Sequence, residues 1–129
     1  MDTQALLDRP YRDEDERAED LLELIQLDRR LYRWLDLARR SPDEWPSTIR
    51  DDLVRAPPNV EGDSPEAKLR HWADRFGDEI QIVRDVRNRL VHSMRLGDSE
   101  LRGAVWIGAH LIALVEPPVA GRDVITIEG

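Results

Sequence analysis

The 129 residues are predicted to form one all-α domain spanning 1–129, a bundle of four to five helices with a short β-prone tail at the C-terminus. Three observations predict it. Apolar residues recur at three- and four-residue spacing through most of the chain, the period that gives a helix one apolar face. Between those stretches lie the residues that stop and start helices, Ser-Pro, Pro-Pro and Gly-Asp. Hydrophobic residues make up 40%, enough to cover one core, and a chain this short does not build two.

The first helix is predicted over about 13–40, where Leu24, Leu27, Leu31, Trp34, Leu35 and Ala38 make the apolar stripe. Its acidic start, Asp13 to Asp20, suits the positive end of the helix dipole and reads as a solvated face, while Arg39 and Arg40 suit the other end before Ser41-Pro42 stops it. Pro42 to Arg55 carries Trp45, Ile49, Leu53 and Val54 at helical spacing and reads as a short second helix capped by Ser41 or Asp43. Residues 56–63, with two prolines and a glycine, are a loop.

Ser64 as N-cap and Pro65 at the first helical position open a long helix over about 65–96, with a bend or break expected near Gly77-Asp78 and a stop at Gly97. Asp98 or Ser99 then caps a last helix, about 99–116, apolar from Ala104 to Val115 apart from glycine and His110, and therefore expected to be buried on most sides. Pro117-Pro118 ends it, and Val124 to Ile127 is the β-prone tail.

Charge and composition narrow the function. Nineteen basic residues stand against 27 acidic ones, net -8, so nucleic acid would have to be held by a local patch rather than by bulk charge. The absence of cysteine excludes disulfides, thiolate zinc sites and thiol nucleophiles. The acidic N-terminus is unlike a secretory signal and no apolar run reaches the roughly 18 residues of a membrane span, so a cytoplasmic protein without membrane contact is expected.

The candidate catalysts are few. His71 and His110 have no partner at metal-ligand spacing and read as structural, and the carboxylates form no array with them, so neither metal nor cofactor is expected. His92 differs. It ends Arg84-Asp85-Val86-Arg87-Asn88-Arg89-Leu90-Val91-His92, and at about 100° per residue Arg84, Asn88, His92 and Arg95 share one stripe, with Arg87 on its flank. From Arg84 to Arg95 there are four arginines and one aspartate, the one plainly electropositive strip of the chain. A neutral imidazole can take the proton of a ribose 2′-OH as it attacks phosphorus, and a planar guanidinium can grip the two non-bridging oxygens. Asn88, one turn before His92, can orient the imidazole or donate to the phosphate. One strip offers one histidine, whereas attack and leaving-group protonation prefer two proton-transfer groups, which a two-fold homodimer would supply.

Arg87-Asn88-Arg89-Leu90-Val91-His92 resembles the R-x4-6-H motif, in its R-N-x-x-x-H form, of the HEPN superfamily of helical ribonucleases and toxins. The resemblance covers the motif and the helical order, not the whole chain. With 18 arginines and three histidines a bare Arg-to-His match is expected about once by chance; the adjacent asparagine, the Leu-Val pair and the place late in a helix add to it. The resemblance implies a metal-independent endoribonuclease, a toxin or defence effector, cutting RNA in a dimer cleft to a 2′,3′-cyclic phosphate. Arg87, Asn88 and His92 would be catalytic, and Arg84, Arg89 and Arg95 would bind RNA. An antitoxin or larger defence complex is the further partner implied. In family toxins paired with a nucleotidyltransferase the motif extends to H-x-Y with a modified tyrosine; here that position is Met94.

Two other readings stand beside it. One is a non-catalytic HEPN-like module that dimerises or binds a nucleotide or partner protein. The other leaves the arginines merely paired with acidic faces such as Asp13 to Asp20, in a structural helical subunit.

Overall fold

The computed structural model describes residues 11–92 and 96–116 and contains four α-helices and no strand among them. They are α1 (Glu14–Arg39), α2 (Ser47–Arg55), α3 (Pro65–Val91) and α4 (Asp98–Val115), with a 3-10 turn at Pro42–Glu44. The β-prone tail lies outside the described residues.

The first helix has the acidic first turn its sequence predicts, Glu14, Asp15 and Glu16, and Asp13, expected within the helix, is its cap, Oδ1 accepting from Glu16 N at 2.9 Å. Ser64 does the same for α3, its Oγ accepting from Ala67 N at 3.1 Å ahead of Pro65. The segment 42–55 is not one helix. Trp45, held extended by the proline that follows it, separates the 3-10 turn from α2, and no side chain caps either piece.

Three long helices make the core. Arg17 reaches Asp98, Leu27 lies against Gly108, and Trp34 donates to Glu116, so α1 and α4 run parallel. Trp72 of α3 donates to Leu111 O at 3.0 Å, and Tyr32 of α1 to Gln81 at 3.1 Å, so α3 runs antiparallel to both. Leu24, Leu31, Leu69, Trp72, Ile80, Val83 and Leu101 are fully enclosed between them. Gly108 allows the close approach of α1, since a Cβ there would sit 3.3 Å from Leu27 Cβ and Cδ1. A second tether, Trp45 Nε1 to Leu37 O at 2.8 Å, folds the 3-10 turn back onto α1.

Three features differ from the sequence expectation. No break occurs at Gly77-Asp78, and α3 ends at Val91 rather than near 96, with His92 as its C-cap. Gly97, expected to stop α3, is instead the N-cap residue of α4, so Asp98 and Ser99, the expected caps, lie inside that helix and no side chain caps it. The reason is topological: α3 and α4 run antiparallel, so α3 stops at Val91 and α4 starts back from Asp98, with Leu96 buried in the core just before it.

The last helix is buried on one side only, because in a three-helix arrangement each helix keeps a solvent face. Trp106 is 45% exposed and His110 and Ala113 lie on the same stripe. No helix among the described residues is long and apolar enough to cross a membrane.

Candidate functional site

The electropositive strip lies on α3 along its boundary with α1, and what organises it is Asp28. This carboxylate is 2% exposed, the one buried charged residue of the described core. Its Oδ1 accepts from Arg84 Nε at 2.9 Å, and its Oδ2 lies 3.7 Å from Arg87 Nε. The two arginines are three residues apart, hence neighbours on one helix face, so a single acid opposite serves both. The Arg84 guanidinium also stacks on Tyr32, its Cζ 3.6 Å from the ring centroid.

Arg87 is the less satisfied of the pair. At 3.7 Å its Nε is too far from Asp28 for a hydrogen bond, and that buried nitrogen has no other partner. Leaving such a donor unmade costs about 1–3 kcal/mol. Its Nη1 donates to Asn88 Oδ1 at 3.2 Å, so Asn88 orients the arginine through its side chain. Through its backbone carbonyl the same residue accepts from His92 N at 3.1 Å, closing the last turn of α3. Asn88 thereby joins Arg87 to the C-cap residue, whose imidazole is exposed.

The remaining predicted residues part company with this group. Arg89, two residues on from Arg87, turns to the other side of α3 and pairs through Nη1 with Glu100 Oε2 of α4. Arg95 and Met94 lie outside the described residues. The arginines therefore meet Asp28 and Glu100 rather than the run Asp13 to Asp20.

That run has its own uses. Glu16 takes Arg12 and Arg102, and Asp20 accepts from the Tyr11 hydroxyl at 2.7 Å, which together with burial pushes the Tyr11 phenol up from its ordinary value. Asp13, Glu14, Asp15 and Glu19 remain exposed as expected.

Leu96 and the start of α4 are tied to α1. Arg17 of α1 donates from Nη2 to Leu96 O at 3.0 Å and from Nε to Asp98 Oδ1 at 3.1 Å. Asp28 and Arg17 were not singled out in the sequence, yet Asp28 carries a signal there. It interrupts the apolar stripe between Leu24, Leu27 and Leu31, and an acid on a core-facing stripe calls for a buried cation opposite.

His71 is exposed near the start of α3, and His110 Nδ1 lies 2.8 Å from Trp106 O with its ring against the indole, centroids 4.0 Å apart. No group of three or more His, Asp or Glu side chains among the described residues is placed to hold a metal ion. Chemically the arrangement offers two fixed guanidiniums with outward N–H groups, an amide linking one of them to a helix end, and an exposed imidazole at that end. No family model, curated protein or solved structure matches this chain.

Proposed function

We propose that the protein is a metal-independent endoribonuclease of HEPN type, a cytoplasmic toxin or defence effector that cleaves RNA by 2′-OH attack in a homodimer cleft. The observation that carries this reading is the linkage of Arg87, Asn88 and His92 at the end of α3, with Arg87 oriented by Asn88 Oδ1 and the imidazole open to solvent. His92 takes the proton of the attacking 2′-OH, and Arg87 meets the charge that grows on the non-bridging oxygens. Asn88 keeps the guanidinium in register with the histidine. The second proton-transfer group, for the 5′-oxygen that leaves, comes from the His92 of a second copy.

A second reading is favoured by one observation: Arg84 and Arg87 are both engaged by Asp28, as they would be in a non-catalytic HEPN-like module that only dimerises or binds a nucleotide or partner. Cleavage decides between them. Purified protein incubated with total tRNA and mRNA in EDTA is expected to give fragments ending in a 2′,3′-cyclic phosphate. Intact RNA at high protein concentration favours the binding module. Light scattering is expected to show one species at twice the 15.0 kDa chain mass, joined by an interface of about 800 Å² per partner. A strict monomer at tens of micromolar that still cleaves would remove the two-histidine cleft.

A further inference from the structure

We propose that Asp28 is the positioning residue of a two-arginine cradle for an RNA phosphodiester, holding Arg84 and Arg87 so that both present their Nη edges to the same stretch of backbone. The identity of the anion rests on the ribonuclease reading above; the role of Asp28 rests on geometry.

A guanidinium has two hydrogen-bonding edges, one containing Nε and one formed by the two Nη groups. Asp28 faces the first edge of both arginines, Nε of Arg84 at 2.9 Å and Nε of Arg87 at 3.7 Å. The second edge is left over: among the described residues neither Nη of Arg84 donates a hydrogen bond within the protein, and Arg87 commits only Nη1, to Asn88. The arginine side chains are 29% and 32% exposed while the Asp28 side chain is 3% exposed, so ligand can reach the cations but not their anchor.

A phosphodiester carries two non-bridging oxygens and prefers planar, paired donors. Long side chains on a helix surface would lose rotamer freedom on binding it. Asp28 removes that loss in advance, and Tyr32 beneath Arg84 does the same for one of them. One buried carboxylate against two guanidiniums also leaves the cluster with a net positive charge in a protein that is acidic elsewhere.

Asp28→Asn keeps the shape of the side chain and removes its charge. The probe is a short 2′-O-methyl oligoribonucleotide, which has no nucleophile and is not cleaved, with affinity read by fluorescence anisotropy and fold by circular dichroism. The substitution is expected to weaken binding about tenfold, and to weaken it no further in an Arg84→Ala/Arg87→Ala background, because it acts only through those residues. A folded Asp28→Asn protein with wild-type affinity overturns the proposal, as does an equal loss in the double-arginine background.

A second measurement uses the wild-type protein and holds whether or not the variant folds. In ¹⁵N spectra the Arg84 Nε–H is expected to be protected from solvent exchange, and to stay protected when the oligonucleotide binds while the Nη signals of both arginines move. Loss of protection on binding would mean that the arginine leaves Asp28 for the phosphate, and the positioning role falls. Protein that binds the probe through this pair but cleaves no RNA sinks the catalytic reading alone. Protein that cleaves RNA with Asp28→Asn unchanged sinks this proposal alone, and failure to bind the probe sinks both.

Discussion

His92→Ala is expected to abolish RNA cleavage, and any toxicity, while the protein keeps its helical content and oligomeric state. The imidazole is exposed at the C-cap of α3, and the capping bond there is made by the His92 backbone N–H, which alanine retains. Folding therefore has little to lose. Cleavage loses its proton acceptor, which costs about a hundredfold or more in rate. Arg87→Ala is expected to follow it through lost phosphate stabilisation, and Arg87→Lys to restore little, because an ammonium offers no planar fork to the phosphate. Asn88→Ala is expected to be milder, since it only frees the Arg87 guanidinium from its Oδ1. His71→Ala, exposed near the opposite end of α3, is the control that leaves cleavage unchanged. Cleavage by the His92→Ala protein at the wild-type rate would make the motif a coincidence of an arginine-rich chain.

The largest effect on stability is expected from Trp72→Ala. Among the described residues Trp72 is the largest fully buried side chain, on the face of α3 that meets α4, and its Nε1 donates to Leu111 O in the core. Truncation leaves a cavity that three packed helices close only partly, at about 3–5 kcal/mol. For a protein whose total stability is about 5–15 kcal/mol that is a large share. Chemical denaturation should show a much lower midpoint with an unchanged slope. Trp72→Phe, which fills most of the volume but deletes the N–H donor, should fall between wild type and alanine. A midpoint unmoved by Trp72→Ala would mean that α3 and α4 do not pack as described.

What could be read along the chain was local. The extent of α1 and its acidic first turn, the Ser64-Pro65 start of α3 and the loop between α2 and α3 each depend on residues within a turn or two of one another. So does the grouping of Arg84, Arg87 and Asn88, which helical periodicity alone brings together. Pro46 was also visible, but its consequence, an extended Trp45 that splits the second helix, outweighed the apolar spacing across it.

Helical periodicity says which residues share a face and not which helix that face meets. The register of α1 against α3, set by the packing of Leu24, Leu31, Ile80 and Val83, decided that Asp28 sits opposite Arg84 and Arg87, and the approach of α4 decided that Arg89 turns away to Glu100. The same packing ended α3 at Val91, because the chain had to reverse before α4 could lie antiparallel, and so put His92 at a helix end rather than within a helix. Residues 56 positions apart in the chain, Asp28 and Arg84, become partners only when the whole set of helices has chosen one arrangement, since each interhelical contact depends on the fit of all the others.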